Sequence, residues 1–325
     1  MPSLATHHFF AKEVYNNLKE DDKKYFQNNL DIYYLFAQSH DILYFHKLNF
    51  KNNKIAADAA YKGHHKNTQE YLLNILRIIK EEHLEYNPEA LSYLFGSTTH
   101  YVLDSTCHPL IFYKTGIYRK SIKESIKYNG GHSKMEKDID AYYYEKYEHK
   151  KYNKSKLNKE FIRVKKLPTK LNTIIDKAYE KTYNIKDVST MYKTGIRDFR
   201  LVNNLLTQDK FGIKRGIYHI IDFLSFKHLG NIAAYSNHIL NPNPKWLNEE
   251  HKEWNNPADK SITSTESFED LYKKALKKNI KIIEEINKVL YEDKPIDDIK
   301  KYIPNIDYST GLDLSNNPKM KFFEY

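Results

Sequence analysis

The chain has 325 residues, of which 40% are hydrophobic, enough apolar side chain for one large domain or two small ones. It has only 10 glycines and 10 prolines, about half the usual share, which argues against propellers, sandwiches and glycine-punctuated repeats. A mean hydropathy of −0.75, with no apolar run of about 18 residues, excludes a membrane-spanning helix and predicts a soluble protein.

The charge is basic, with 52 Lys and Arg against 42 Asp and Glu, a formal net charge of +10. Such a field favours an anionic partner, although lysines spread along helical faces are also typical of an ordinary solvated surface. Cys107 is the single cysteine, so no intrachain disulfide can form. The start MPSLATHHFFAKEVY lacks the features of a secretory signal, and we expect a cytoplasmic location.

Apolar residues recur at three- and four-residue spacing, which predicts helices, and comparable two-residue periods are missing from the sequence. The helical stretches are 8–28, 31–47, 67–82, 89–106, 134–148, 170–184, 190–207, 215–240 and 265–291. Clusters of Asn, Pro, Gly and Ser separate them as loops. Ser267 before Phe268 predicts the start of the last helix. We therefore predict one all-α domain over residues 1–292 and an irregular tail over 293–325, laid on the domain or loose.

The segment GSTTHYVLDSTCHP, residues 96–109, carries the most specific pattern. His100, Asp104 and His108 are spaced at i, i+4 and i+8, within an arc of about 80° on one helical face. Imidazoles and a carboxylate in this arrangement are ligands that suit zinc, although a polar, solvated helix face is the alternative interpretation. Cys107 is interpreted as a small packed side chain.

A second pair lies in GGHSKMEKDID, where His132 and Glu136 are spaced at i, i+4 on another predicted helix. Alone, this pair would be interpreted as an ordinary surface contact. It becomes a candidate ligand pair only together with the other histidines and carboxylates.

Taken together, the motifs resemble those of the zinc-dependent phospholipase C family, most closely its compact bacterial members without signal peptides. The matching segments are Thr6-His7, Gln38-Ser39-His40-Asp41, His65 in GHHKNTQEYL, His100-x3-Asp104-x3-His108-Pro109, and His132-x3-Glu136. The resemblance implies a multi-helix bundle around a di- or trinuclear metal centre, an architecture shared with single-strand-specific zinc nucleases.

The resemblance also implies two or three zinc ions and assigns their ligands. The first ion would take His65, Asp41, His100 and Asp104, the second His108, His132 and Glu136, and the third His7 with Asp104 as a bridge. Asp41 is in addition the candidate base that accepts the proton of the attacking water.

The sequence departs from the family pattern at several positions. The secreted phospholipases of the family complete the third site with an N-terminal Trp, whereas this chain starts Met1-Pro2, so we expect a weaker third ion, finished by water, His8 or His40. His64 adjoins His65 and either could be the ligand; the family register favours His65. The lipid-binding sandwich of toxin-like members has no counterpart, so membrane attack is not expected.

The leading functional prediction is a metal-dependent phosphodiester hydrolase in which metal-activated water attacks phosphorus. The substrate would be a phosphoester, with a phospholipid such as phosphatidylcholine as one candidate. One alternative is a single-strand nuclease-like phosphodiesterase, for which nucleic acid is a less favoured partner that the sequence leaves open. Another is a catalytically decayed metal-binding helical protein, whose site would be closed by protein ligands instead of keeping an open position.

Overall fold

The computed structural model describes residues 4–46, 53–225 and 232–324. Its α-helices are α1 (Leu4–Asn17), α2 (Glu20–Lys23), α3 (Leu30–Phe36), α4 (Asn53–His65), α5 (Thr68–Glu81), α6 (Pro88–Thr115), α7 (Gly131–Glu148), α8 (Leu157–Glu160), α9 (Thr169–Tyr183), α10 (Val188–Val202), α11 (Ile213–Leu224) and α12 (Phe268–Tyr291). The described strands, β1 (Trp254–Asn255) and β2 (Thr263–Ser264), form one short antiparallel pair. The predicted all-α class is confirmed.

Most predicted helical stretches overlap the observed helices, but two regions differ. Helix α4, near the site, was missed, and the predicted stretch 215–240 is α-helical only as far as Leu224, with 226–231 outside the described residues. Ser267 caps α12 as predicted, accepting a hydrogen bond from the Asp270 backbone in a capping box. Helix α4 was not predicted, because most of its buried positions are alanines and Gly63, which give little apolar periodicity.

Helix α6 lies at the centre of the molecule. Every residue from Ala90 to Ser105 is buried, and the helix packs against α1, α3, α5, α7 and α12. The Thr98 and Thr99 hydroxyls donate to backbone carbonyls four residues earlier, at 2.8 and 2.7 Å, so they are satisfied without water. A helix buried on all sides carries any polar side chain in its middle into the core.

Helix α3 crosses α6 at Gly96. A Cβ atom at this position would lie 2.6 Å from the carbonyl oxygen of Tyr33, so only glycine permits the observed approach. This contact fixes the end of α3 and the 3₁₀ segment Ser39–Phe45 that follows it, which carries Asp41.

The C-terminal tail is irregular and packs against the helices. Ile303 and Tyr308 are buried, and the backbone amide of Lys321 donates to the carbonyl of Pro257. Within residues 4–46, 53–225 and 232–324, no helix has both the length and the apolar character that crossing a bilayer requires.

Candidate metal centre

Five side chains from four elements meet beside the middle of α6, and we call them the inner group. They are His7 of α1, Asp41 of the 39–45 segment, His64 of α4, and His100 and Asp104 of α6. All five are buried, with His100 completely inaccessible to solvent. The helices therefore bring together residues that are far apart in the sequence.

Two sets of hydrogen bonds hold the backbone segments that carry His7 and Asp41. Asp140 of α7 accepts hydrogen bonds from the backbone amide and hydroxyl of Thr6, at 2.8 and 3.0 Å, and so holds the start of α1. The Gln38 side chain donates to the carbonyl of Leu4 at 3.2 Å. Thr6 and Gln38 belonged to the sequence motifs, and their observed role is to orient the residues that follow them.

The spacing of the inner donor atoms fits a single metal ion. His64 Nε2 lies 3.2 Å from Asp41 Oδ1 and 3.3 Å from His100 Nε2, which in turn lies 3.4 Å from Asp104 Oδ2. Donors bound to one tetrahedral zinc at about 2.0–2.1 Å are separated by about 3.3 Å. These four residues therefore have both the chemistry and the spacing of a zinc site.

The ring hydrogen bonds of the two histidines point to the same conclusion. His100 Nδ1 donates to the Ala37 carbonyl at 3.2 Å, and His64 Nδ1 donates to the Ala60 carbonyl at 2.7 Å. In neutral rings the two facing Nε2 atoms then both carry lone pairs, and they cannot bond to each other. The buried Asp104 Oδ2 also lacks a hydrogen-bond partner among the described residues. A cation between these atoms would satisfy all three.

The electrostatics favour positive charge at this position. Burial raises the pKa of Asp41 and Asp104, but the neighbouring histidines outweigh burial and hold both carboxyls below their usual range. Burial lowers the pKa of His64, yet Asp41 and Asp104 reverse this and raise it. Burial dominates at His100 and lowers its pKa to about 4, which keeps this ring neutral, as a metal ligand must be.

His7 contacts the other oxygen of the same carboxylate. Its Nε2 lies 3.0 Å from Asp104 Oδ1, while Asp104 Oδ2 faces His100. Burial lowers the pKa of His7, but Asp104 outweighs it and the net shift is upward. Asp104 is thus placed to bridge two positions.

A second set of three side chains, the outer group, lies one turn further along α6. His132 Nε2 and His108 Nε2 lie 3.1 and 3.5 Å from Glu136 Oε1. The side chains of His132 and His108 are 24% and 14% exposed, so this group reaches solvent. His108 Nδ1 also lies 3.6 Å from Asp104 Oδ2, which links the two groups.

In the outer group, the pKa of Glu136 is lowered and the pKa of His108 is raised. Burial raises the pKa of Glu136, but His132 and His108 outweigh it and the net shift is downward. Burial lowers the pKa of His108, while Asp104 and Glu136 raise it to about 9. The ring of His132 stacks on Phe112, with centroids 4.5 Å apart. The outer group therefore also has the charge and donor set of a divalent cation site.

The structure corrects the placement expected for His65. Its Nδ1 lies 2.5 Å from Asp307 Oδ2, outside the inner group, and His64 occupies the expected position instead. The reason is helical geometry, because adjacent residues on α4 point about 100° apart. Of the predicted ligands, the other seven belong to one group or the other.

Of the two further histidines considered for the third ion, His40 adjoins the inner group, with its ring 5.4 Å from that of His64, and His8 does not belong to either group. His40 Nδ1 lies 2.6 Å from the Tyr179 hydroxyl, and its ring lies against Gly63, where a Cβ atom would approach to 2.3 Å. His8 packs among aromatic rings, including Tyr34 and Phe161 at 4.6 and 5.0 Å. Met1 and Pro2, which stand where the family has its N-terminal Trp, lie outside the described residues.

Sequence reasoning missed the contribution of the tail. The backbone amide of Tyr308 donates to the carbonyl of His64 at 3.0 Å. Its ring lies 5.3 Å from His64 and 5.8 Å from His100, with no exposure to solvent. Asp307 orients His65 beside it. No periodicity or motif in the tail signals these contacts, since they join residues far apart in the chain.

A family model for zinc dependent phospholipase C matches residues 6–187, more than half of the chain. The match includes every residue of the inner and outer groups. The chain belongs to the zinc-dependent phospholipase C family. Comparisons with curated proteins and with solved structures found no match. Asp307 and Tyr308 lie beyond the matched residues.

Proposed function

We propose that the protein is a zinc-dependent phosphodiester hydrolase of phospholipase C type. The observation that carries the proposal is the inner group, whose four donor atoms have the spacing of a tetrahedral zinc site, next to a partly exposed outer group. Family membership supports a metal-dependent hydrolase, and the adjoining groups support the phosphodiester chemistry.

The proposed ligands follow the two groups. Asp41, His64, His100 and Asp104 would hold one zinc ion, His108, His132 and Glu136 a second, and His7 with the bridging Asp104 a third. Zinc ions in such a cluster neutralise the charge of a phosphodiester and lower the pKa of water so that it can attack phosphorus.

Asp41 is the proposed general base. Its low pKa keeps the carboxylate ionised, and only one of its oxygens, Oδ1, lies at 3.2 Å from His64. The other oxygen lies 3.7 Å from His100 and is placed to accept a proton. The Nδ1 hydrogen bonds of His64 and His100 fix the two rings that would hold zinc beside this carboxylate.

The exposure of the outer group favours an enzyme over a purely structural metal site. Structural zinc sites are closed by four protein ligands, whereas among residues 4–46, 53–225 and 232–324 the outer group supplies three and is open to solvent at His132. A fourth position left open in this way would take water or a phosphate oxygen of the substrate.

A single-strand nuclease-like activity is the second candidate, favoured by one surface feature. A cleft of about 750 Å³ beside His65 is lined by Lys66, Arg119 and the exposed Tyr61, among other residues. Basic and aromatic side chains together bind single-stranded nucleic acid. The cytoplasmic location is part of the proposal and rests on the sequence alone.

One assay separates these functions. Purified protein is tested on p-nitrophenyl phosphorylcholine and on bis-p-nitrophenyl phosphate, with and without chelator and after zinc is restored. Phospholipase C chemistry predicts chelator-sensitive release of nitrophenol from the first substrate and a weaker reaction with the second. Preference for the second, together with cleavage of single-stranded nucleic acid, supports the nuclease. Inactivity on both after zinc loading contradicts either enzyme.

A further inference from the structure

Helix α11 has an unusual orientation. Ile213, Ile217, Ile220 and Leu224 are 67%, 51%, 60% and 69% exposed, and Phe223 is 80% exposed. At 100° per residue these five side chains lie within an arc of about 120°. Amphipathic helices of globular proteins normally turn such a stripe toward the core, and here it faces outward.

The opposite side of α11 attaches the helix to the protein. Asp222 is the buried residue of α11, and its two carboxylate oxygens accept backbone hydrogen bonds from Ile232 and Ala233, at 2.8 and 2.9 Å. The exposed apolar stripe is therefore a fixed feature of the fold, because the polar side of the helix is the side that is anchored.

The apolar surface continues onto the segment before α11. Leu205, Leu206 and Phe211 are 60%, 46% and 75% exposed. Lys214 and Tyr218 of α11 donate to the carbonyls of Gln208 and Leu206, which holds this segment against the helix. We call the exposed apolar side chains of residues 205–224 the apolar platform.

Within the segment that forms the apolar platform, the charges accessible to solvent have one sign. Residues 199–225 contain Arg200, Lys210, Lys214 and Arg215 and two carboxylates, Asp209 and Asp222, both of which are buried and hydrogen-bonded. An exposed apolar face whose own segment carries basic residues and no exposed carboxylate complements the acyl chains and phosphate groups of a lipid surface.

Helix α11 adjoins α7 away from the apolar stripe. Arg215 and His219 of α11 line a small cavity of about 80 Å³ together with Lys134, Lys137 and Asp138 of α7. These α7 residues lie on the side of the helix away from His132 and Glu136, which are about 150° further around it. The cavity therefore shows that the two helices are neighbours, with the outer group on the other face of α7.

We propose that the apolar platform docks the protein onto a phospholipid membrane surface, with α11 lying in the interface. The exposed apolar face and the charges of its segment are the observations that support docking. That it delivers lipid substrate to the outer group rests on the proposed function. Membrane attack was not expected from the motifs, and the structure provides a contact surface that the motifs do not encode.

Docking can be measured without hydrolysis. Full-length protein with Asp41→Asn, in buffer with excess zinc, is sedimented with sucrose-loaded vesicles of phosphatidylcholine and phosphatidylglycerol in equal amounts, and with vesicles of phosphatidylcholine alone. We expect binding to both, tighter to the anionic vesicles at low salt. Ile220→Asn with Phe223→Asn should weaken binding at least tenfold. Lys210→Gln should weaken only the anionic component, by about fivefold.

The matched control is Ile122→Asn with Ile262→Asn, which removes two exposed isoleucines, 42% and 45% accessible, away from the platform. This control should bind vesicles like the parent, and circular dichroism should show the same helix content in all variants. Equal binding by the platform variant and the parent would overturn the proposal. So would failure of the parent to bind, or a platform-dependent dimer or RNA complex without vesicle binding.

A second readout separates docking from chemistry. With Asp41 intact, the Ile220→Asn, Phe223→Asn variant should lose at least tenfold in hydrolysis of vesicle lipid and keep its rate on p-nitrophenyl phosphorylcholine. Vesicle binding without hydrolysis of either substrate would leave docking supported and refute the proposed function. Equal losses on the soluble and vesicle substrates would contradict docking as the source of the effect.

Discussion

The inner and outer groups contain the same types of side chain, histidines and carboxylates, in different surroundings. Asp104 and His100 are 3% and 0% exposed, whereas His108 and His132 are 14% and 24% exposed. One helix, α6, supplies ligands to both, because its fully buried run ends at Ser105 and His108 lies just beyond it. On the proposed function, the inner group would hold a fixed metal charge, and the outer group would be the position accessible to substrate.

Substitution of Asp104, the carboxylate between the two groups, should cause the largest loss of activity. Asp104→Asn removes the negative charge that faces His7, His100 and His108, so zinc should be lost from both groups. We expect kcat/KM to fall by about 10³-fold or more, several kcal/mol of barrier. Zinc content by mass spectrometry and hydrolysis of p-nitrophenyl phosphorylcholine measure this.

The control for that variant is Asp138→Asn, which alters a carboxylate hydrogen-bonded to Trp246. It should keep its zinc and most of its activity. A normal zinc content in Asp104→Asn would show that the carboxylate does not join the two groups.

The outer group alone is tested by Glu136→Gln. This variant should lose one zinc ion, keep the inner ion, and lose about 10²- to 10³-fold in kcat/KM, since charge neutralisation at the exposed position is lost. Glu145→Gln, on the same helix and paired with Lys151, is the control. Unchanged metal content in Glu136→Gln would refute the outer assignment.

A comparison of His64 and His65 tests which of these neighbouring histidines belongs to the inner group. His64→Ala should lower zinc affinity and reduce activity by about 10²-fold, because it removes a donor atom from the inner group. His65→Ala should cost less than about tenfold, since His65 contacts Asp307 instead. Zinc titration of both variants decides between them, and the reverse order of effects would restore the family register that favoured His65.

The smallest effect is expected at Tyr308. Its buried hydroxyl has no hydrogen-bond partner among the described residues. Tyr308→Phe should therefore leave the free energy of unfolding unchanged or raise it by about 1 kcal/mol, with the same zinc content. Denaturant unfolding measures this. A loss of activity greater than tenfold would instead place the hydroxyl in contact with substrate or with a water of the reaction.

Local patterns made part of this site predictable. The residues of α6 and α7 follow i, i+4 spacing, which places side chains on one face whatever the rest of the fold does. The family motifs added His7 and Asp41, whose positions depend on the contacts of Thr6 and Gln38 with distant elements.

The remaining features depend on long-range packing. Which of His64 and His65 faces the centre is set by how α4 packs through its alanines and Gly63. Tyr308 reaches the site through an irregular segment that carries no periodic signal. Periodicity predicted a helix in the region of α11, but the exposed orientation of its apolar face follows from the hydrogen bonds of Asp222.

The central claim is that the inner and outer groups each hold zinc. Anomalous diffraction at the zinc edge, on crystals of zinc-loaded protein, tests it most directly. The account predicts one peak among Asp41, His64, His100 and Asp104 and a second among His108, His132 and Glu136, with any third and weaker peak beside His7. A zinc-loaded crystal with no peak at the inner group, or with His65 as the coordinating residue, would contradict it.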